Sequence, residues 1–308
     1  MLFSRKAVGL EICQEGVKMV SIMGDRERIR VDSFSNGSFG GDTLKLSLRE
    51  QNVLNPAGFV ATVRETYLRL LTKVEQVSVS LPDSIGRVML VDLETRVKNR
   101  EEGANLIRWK LKKNFPFDIS DAHLDYQILQ EKETGEVTAL VSLISRTVLH
   151  QYEDLLGEAG LQPGRIDFTT FNLYSLFSKR IDLADNAALL TCYDEIVSIL
   201  IFYGGVLTFY RAKEIPGGMR DANRIYREIN SSLLVYNDKF PNFSVGEVFY
   251  IASPFDAESF GSVVAEALAQ EPVLLDVGRL VTFKNESSAD RAGLFSLAAA
   301  LGAAVRSF

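Results

Sequence analysis

The sequence predicts an α/β protein of two related domains, with a small α+β module inserted in the first. Two segments show the same order of three short apolar strands joined by tight turns, over residues 7–34 and 187–210. Each group leads into segments whose apolar residues recur with the helical period. At 308 residues the chain is long enough for two domains, each with its own core.

The composition is that of a globular protein and excludes several classes of function. Hydrophobic residues make up 46% and charged residues 24% of the chain. The net charge of −6 argues against general nucleic-acid binding, which needs a basic face. Two cysteines, Cys13 and Cys192, and two histidines are too few for a disulfide framework or a zinc site. The cysteine content fits a reducing compartment.

No segment has the pattern of a membrane span or a secretion signal. A transmembrane helix needs about 18 or more apolar residues in a row, and the sequence has no such run. The N-terminus has basic residues but no apolar core followed by a cleavage site. The most apolar stretch, 293–305, is too short to cross a bilayer and is predicted to be a buried helix. We therefore expect a cytoplasmic protein that reaches a membrane only through a partner.

The first domain is predicted to occupy residues 1–180, with the inserted module at about 77–165. Its strands are predicted at 7–12, 17–23 and 29–34, followed by a polar, glycine-rich loop at 35–42, a helix near 60–71 and a strand at 77–81. The module is predicted to begin with a strand near 88–90 and a helix over 100–114, which Phe115, Pro116 and Phe117 end. A strand pair at 124–129 and 137–144 is predicted around a turn at Gly135. A helix over 148–159 follows, and Gly160 closes it.

The second domain is predicted at 181–290. Its three strands include a Gly204–Gly205 turn suited to a tight hairpin. A long helix follows Gly217 and Gly218, and two further strands with a helix between them complete the domain. The C-terminal helix, 291–308, is expected to pack back on the first domain.

The two strand groups superimpose at a constant offset of about 180 positions, in pattern and not in identity. Val8 falls on Ala188, and Val17 falls on Val197. Two related domains that face each other form a cleft, which is a natural ligand site. This layout resembles the actin-like fold of sugar kinases, Hsp70 and actin. In that fold the first hairpin of each domain holds the phosphates of ATP, usually with an Asp-x-Gly turn, because glycine lets backbone N–H groups approach phosphate and aspartate positions Mg²⁺.

Short motifs along nearly the whole chain carry a more specific resemblance. They lie at residues 8–12, 16–18, 80–82, 111–117, 124–126, 158–163, 214–218 and 300–308. Their order and spacing resemble the PilM proteins of type IV pilus assembly. The resemblance implies a scaffold, peripheral to the inner membrane, that binds the N-terminal cytoplasmic tail of a PilN-like membrane protein and also contacts other pilus motor components. The tail groove is expected between the first domain and the module. The cytoplasmic domain of the type II secretion L-type protein shares the fold and is left open as an alternative.

The residues at the family's nucleotide positions depart from its pattern. Glu11 and Cys13 stand where the first Asp-x-Gly is expected, and Thr191 and Tyr193 stand at the second. Where a Gly-Gly pair would support adenosine, the sequence has residues 251–254 (Ile-Ala-Ser-Pro), and proline lacks a backbone donor. The remaining candidates for a phosphate or metal contact are Gly16, Lys18, Asp194, Gly217 and Gly218. We therefore expect no cofactor and no ATP hydrolysis; the alternative is an actin-like ATPase or kinase that binds ATP and Mg²⁺ weakly.

Three other groups have both a functional and a structural interpretation. Asp194 and Glu195 could act as paired acids or form a solvated turn. Cys13 and Cys192 could face each other across the cleft or be small buried thiols. The basic run with Trp109 is either a solvated helix face or a surface for an acidic partner or lipid headgroups. Its basic members are Arg108, Lys110, Lys112 and Lys113.

Overall fold

Three β-sheets organise the part of the chain that this computed structural model describes, namely residues 5–24, 28–112, 119–241, 244–283 and 290–308. Several residues of the sequence predictions lie outside these ranges. They are Lys113 of the basic run, and Asn114, Phe115, Pro116 and Phe117 at the predicted helix end.

The first domain is built on a six-stranded sheet with the order β14-β3-β2-β1-β4-β8. Its strands are β1 (Arg5–Cys13), β2 (Gly16–Gly24), β3 (Ile29–Ser38), β4 (Gln76–Leu81), β8 (Gln162–Phe168) and β14 (Val281–Phe283). The first three form the predicted antiparallel meander, whereas β4 and β8 join it in parallel. The central strands are apolar on both faces, as expected of strands covered by helices on both sides.

Strand β3 extends into the segment predicted to be a loop. Ser38 pairs with Gly16, so the ladder continues through 35–38. One glycine of this segment, Gly37, has a packing cause. A Cβ atom on Gly37 would lie 2.1 Å from Oγ1 of Thr66 on helix α1 (Pro56–Arg69). Glycine is therefore needed there for close approach of strand and helix.

The inserted module has its own three-stranded sheet, in the order β5-β7-β6. Its elements are β5 (Gly86–Leu93), α2 (Arg100–Leu111), β6 (Ala122–Glu131) and β7 (Val137–Ser145). This sheet spans 86–145, a shorter segment than the predicted 77–165. The flanking segments belong to the first domain because β4 and β8 pair there and α3 (Arg146–Glu158) packs against α1 and β8. Helix α3 ends before Gly160, whose φ of +89° confirms the predicted glycine stop.

The second domain contains a five-stranded sheet with the order β11-β10-β9-β12-β13. Its elements are β9 (Ala187–Tyr193), β10 (Ile196–Tyr203), β11 (Val206–Glu214), α5 (Ala222–Lys239), β12 (Glu247–Ile251), α6 (Ala257–Leu268) and β13 (Val273–Leu274). Gly204 and Gly205 both have positive φ, as the predicted tight hairpin requires. One face of β9 packs under α5 and α6, and the other face joins the core of the first domain.

Side chains at the helix starts satisfy backbone N–H groups that no helical carbonyl can reach. Asn55 accepts from the amide of Gly58 before α1, and Asn99 accepts from that of Glu102 before α2. Asp221 does the same before α5. Such N-caps each contribute about 1 kcal/mol to helix stability.

Two helices lie between the sheets of the two domains. They are α4 (Thr169–Ile181) and α8 (Ala298–Val305), which follows the short helix α7 (Arg291–Ser296). Every residue of α8 is buried, and it packs on both β1 and α4. A Cβ atom on Gly9 would lie 1.9 Å from the carbonyl oxygen of Ala300, and one on Gly302 would lie 1.9 Å from that of Asn172. Backbone therefore meets backbone on both sides of α8.

Among the described residues, no helix combines the length and apolar character that crossing a membrane requires.

Candidate functional site

The first hairpins of the two domains meet at a contact between Glu11 and Tyr193. Glu11 lies on β1, and Tyr193 is the last residue of β9. The Tyr193 hydroxyl donates to Oε2 of Glu11 at 2.9 Å and lies 3.1 Å from the carbonyl oxygen of Ser296. Both side chains are buried. Glu11 and Tyr193, both at predicted nucleotide positions, therefore bond to each other across the domain boundary.

Lys18 completes this cluster from the strand beside Glu11. The two residues are direct cross-strand partners in the β1–β2 ladder, which places side chains on one face within reach. Nζ of Lys18 lies 3.5 Å from Oε1 of Glu11 and 5.5 Å from the centre of the Tyr193 ring. On its other side the Tyr193 ring packs against Phe295, with ring centres 5.2 Å apart. The aromatic ring and the ammonium group occupy the space between the hairpins.

Burial sets the electrostatics of the cluster. It raises the pKa of Glu11 to about 7, although Lys18 opposes this shift. For Lys18, burial lowers the pKa, but the carboxylates of Glu11 and Asp194 outweigh it, so the net pKa lies above the ordinary value. Burial also raises the pKa of the Cys13 thiol. The lysine therefore stays charged while Glu11 titrates near neutral pH.

Cys13 and Gly16 have local roles in the first hairpin. Sγ of Cys13 lies 3.5 Å from the carbonyl oxygen of Gly16. A Cβ atom on Gly16 would lie 2.1 Å from the carbonyl oxygen of Gly37 on β3. The missing side chain at Gly16 is thus required by the neighbouring strand.

The second hairpin turn binds the Gly217–Gly218 segment. Asp194 is exposed at the turn, with φ of +52°. Oε1 of Glu195 accepts from the amide of Gly217 at 2.8 Å. Both glycines have positive φ, which other residues rarely adopt. The two predicted acids therefore act separately: Asp194 adds charge beside Lys18, and Glu195 holds the glycine turn.

Thr191 bonds within the second sheet, and Cys192 is directed away from the hairpin contact. The Thr191 hydroxyl lies 2.6 Å from that of Ser198, its cross-strand partner on β10. Cys192 lies in the core beneath α5 and α6, where burial raises its pKa to about 12. The interpretation in which Cys13 and Cys192 face each other is therefore wrong, because side chains alternate along β9 and Cys192 is on the opposite face from Tyr193.

The segment predicted at the adenosine position connects the end of β12 to α6. Ser253 donates from its hydroxyl to Oδ2 of Asp256 at 2.6 Å, and the Asp256 amide donates to Oγ of Ser253 at 3.2 Å. These bonds make residues 253–256 a turn that leads into the helix.

A second tyrosine–carboxylate contact joins the domains, and no sequence pattern indicates it. The Tyr210 hydroxyl on β11 donates to Oδ1 of Asp83 at 3.2 Å, and the amide of Thr170, at the start of α4, donates to Oδ2 of Asp83 at 3.1 Å. Burial raises the pKa of Asp83 to about 6. The Tyr210 ring packs against Phe171, with ring centres 5.0 Å apart. Asp83 and Tyr210 are 127 positions apart, so no spacing pattern links them.

A groove of about 1000 Å³ lies beside this second contact. We call it the interdomain groove. It runs between α4, residues 125–129 of β6, and the β10–β11 hairpin. Its lining includes Ile128, Phe171, Tyr174, Phe202, Leu207 and Arg306. The groove is therefore lined by the module, the first domain and the second domain.

The groove is apolar along much of its wall, and Arg306 and Asp167 in its lining form an ion pair. The rings of Tyr174 and Phe202 stack with centres 5.3 Å apart. Nη2 of Arg306 lies 2.8 Å from Oδ2 of Asp167. Ile128 is 40% exposed, although it is aliphatic. Exposed apolar surface in a concave site indicates a binding surface.

The basic run on α2 lies on the module. Trp109 is 79% exposed, whereas Arg108 is half-buried. Nζ of Lys110 donates to the carbonyl oxygen of Asp92. Trp109, Lys110 and Lys112 are exposed, as both predicted interpretations of this run require.

One family model and several solved structures are similar to this chain. A family model described as type IV pilus assembly protein PilM matches residues 9–233. A search of curated protein sequences found no match to the chain. Among solved structures, a PilM–PilN type IV pilus biogenesis complex is similar with a TM-score of 0.75 and 19% identity, covering 98% of each chain.

Two further structures are more distant. The cytoplasmic domain of EpsL, an inner-membrane component of the Vibrio cholerae type II secretion system, has a TM-score of 0.52 and 12% identity, covering 96% of this chain and 94% of its own. A Bacteroides thetaiotaomicron protein of unknown function with an actin-like ATPase fold has a TM-score of 0.53 and 13% identity, covering 91% and 93%. The predicted actin-like fold is confirmed by these likenesses.

Proposed function

Because the chain belongs to the PilM family of type IV pilus assembly proteins, we propose that it is a non-catalytic scaffold for a PilN-like inner-membrane protein. The N-terminal cytoplasmic tail of that protein binds in the interdomain groove. The chain is then held at the inner membrane through this partner, where it also contacts other pilus motor components. The observation that carries the proposal is the groove itself, together with the structural likeness to a PilM–PilN complex.

The groove suits an extended peptide for two physical reasons. Strand β6 is an edge strand of the module sheet, and residues 125–129 of it line the groove. An edge strand carries N–H and C=O groups that a bound peptide can pair with. The apolar wall, with Tyr174 and Phe202 stacked in it, can take up the peptide's apolar side chains.

Changing the groove wall should weaken tail binding. We expect Ile128→Glu to lower the affinity for a synthetic tail peptide of the co-encoded partner by about tenfold or more, because a carboxylate would be buried against apolar side chains. Isothermal titration calorimetry measures this directly. Since Ile128 is 40% exposed, the substitution should leave the fold intact.

The matched control places the same charge on an exposed aliphatic residue elsewhere. Leu68 is on α1, 63% exposed, and does not line the groove. Leu68→Glu should bind the tail as the wild type does. Equal affinity of both variants for the tail would show that the peptide binds at another surface.

We further propose that the chain does not hydrolyse ATP. The space between the hairpins contains the Tyr193 ring and the Lys18 ammonium group. Glu11 has the carboxylate that could replace a metal-positioning aspartate. It accepts a hydrogen bond from Tyr193 and forms an ion pair with Lys18. A phosphate chain would need this space and free backbone N–H groups. The residues present therefore do not fit a triphosphate unless Tyr193 moves away.

A nucleotide titration separates the scaffold from an actin-like ATPase or kinase. We expect a fluorescent ATP analogue with Mg²⁺ to show no saturable binding up to millimolar concentration, for the reason just given. Tyr193→Ala is measured beside the wild type, because it removes the aromatic ring that occupies the space between the hairpins. Saturable, Mg²⁺-dependent binding to the wild type that weakens in Glu11→Ala would instead support the ATPase or kinase.

A further inference from the structure

Two tyrosines of the second domain bond to buried carboxylates of the first. Tyr193 lies on the central part of the second sheet and donates to Glu11, whereas Tyr210 lies on the edge strand β11 and donates to Asp83. Burial raises the pKa of both phenols, so both remain protonated donors. We call these two interactions the tyrosine contacts.

Neither carboxylate depends on its tyrosine alone. Glu11 also forms an ion pair with Lys18, and Asp83 also accepts a hydrogen bond from the Thr170 amide. These other partners belong to the first domain. Each carboxylate is therefore held in place by its own domain, and the tyrosine hydroxyl is the group that reaches it from the second domain. Hydrogen bonds to charged groups are about twice as strong as neutral ones.

The interdomain groove has walls from both domains. Phe171 and Tyr174 come from α4, and Phe202 and Leu207 come from the second domain. Phe171 also packs on the Tyr210 ring. One side chain thus belongs both to a tyrosine contact and to the groove wall. A change in the angle between the domains would separate the two walls.

We propose that Tyr193 and Tyr210 are positioning residues that hold the two domains closed and thereby give the interdomain groove its shape. The closed arrangement is built from side chains of the protein, at the place where the fold it resembles holds phosphate. The inference rests on the proposed function only for the identity of the groove's occupant.

The two cysteines provide a test that needs no ligand. Cys13 lies in the first hairpin at the domain contact, and Cys192 lies in the core of the second domain beneath α5 and α6. Cys13 is already partly exposed; domain opening increases the exposure of its thiol and leaves Cys192 buried, whereas unfolding of the second domain exposes Cys192. Iodoacetamide labelling followed by peptide mass spectrometry measures both rates in one sample.

We expect Tyr193→Phe/Tyr210→Phe to label Cys13 on the order of tenfold faster than the wild type, with Cys192 unchanged, because two hydrogen bonds to buried carboxylates are removed. Tyr210→Phe alone should also accelerate Cys13, although Tyr210 bonds at the other contact. Tail affinity in the double variant should fall by about tenfold. The control is Tyr236→Phe, whose hydroxyl lies 3.0 Å from that of Thr208 within the second domain; Cys13 labelling and tail affinity should be those of the wild type.

Three results would overturn the inference. Unchanged Cys13 labelling, or equal acceleration of Cys13 and Cys192, would mean that the hydroxyls do not control closure. Faster Cys13 labelling with unchanged tail affinity would mean that closure does not shape the groove. A wild type that fails to bind the tail would refute the proposed function, while the labelling rates would still decide whether the tyrosine contacts close the domains.

Discussion

We expect Gly302→Ala to lower the free energy of unfolding by about 3 kcal/mol, although alanine is the better helix former. The added methyl group would lie 1.9 Å from the carbonyl oxygen of Asn172 and 2.5 Å from its carbonyl carbon. Both atoms are backbone, so no side chain can rotate away. Helix α8 would have to move from α4, although its other face contacts β1 at Gly9. Urea denaturation followed by circular dichroism measures the loss.

Gly157→Ala is the matched control for this substitution. Gly157 is exposed on α3, and a Cβ atom there meets nothing within 4 Å. The same change should raise stability by about 0.5–1 kcal/mol, because alanine restricts the unfolded chain and favours the helix. Opposite signs for the two variants are the expected result. A Gly302→Ala protein as stable as the wild type would show that α8 is not packed against α4 at this distance.

The second large effect is a pH dependence of stability that originates at Glu11. Its pKa is about 7 in the folded protein and 4.5 as a free side chain. Between these values the folded protein binds a proton that the unfolded chain releases, so stability falls as pH rises. The contribution of Glu11 to the free energy of unfolding should therefore decrease by about 3 kcal/mol between pH 4.5 and pH 7 and remain constant above it.

Several charged or titratable groups face Glu11 and determine the pH range over which it titrates. Lys18 on β2 favours the carboxylate, whereas Asp194 at the second hairpin turn favours the protonated form. Tyr193 donates to the carboxylate, and Cys13 lies on the same strand as Glu11. Asp83, with a pKa of about 6, also makes the free energy of unfolding fall as pH rises. The effect of Glu11 must therefore be isolated by substitution.

Urea denaturation of Glu11→Gln at pH 5 and pH 8 isolates the contribution of Glu11 to the pH dependence of stability. The glutamine variant should gain stability relative to the wild type on going from pH 5 to pH 8, because it carries no charge to bury. Glu65→Gln, at an exposed glutamate of α1 that is 3.8 Å from Arg69, should follow the wild-type profile. Parallel profiles for Glu11→Gln and the wild type would mean that Glu11 has the same proton affinity in the folded and unfolded chain.

The contacts made by the two hairpins join residues that are far apart in the chain. The sequence showed that Glu11 and Tyr193 replace the residues expected at nucleotide positions, and it predicted the loss of that site. It did not show that the two side chains bond to each other, since they are 182 positions apart. Gly16 is a predicted phosphate contact, and the distance to Gly37 shows that the packing of β3 also requires glycine there.

The sequence by itself determined the α/β class, the order of most elements, the glycine turns at Gly160 and Gly204–Gly205, and the family. These follow from local periodicity, backbone conformation and motif order, which neighbouring residues encode. Only the tertiary structure decided which strands belong to the inserted module, where the interdomain groove lies, and that tyrosine hydroxyls of the second domain reach Glu11 and Asp83. These features depend on contacts between distant segments, and a contact of that kind leaves no periodic trace in the chain.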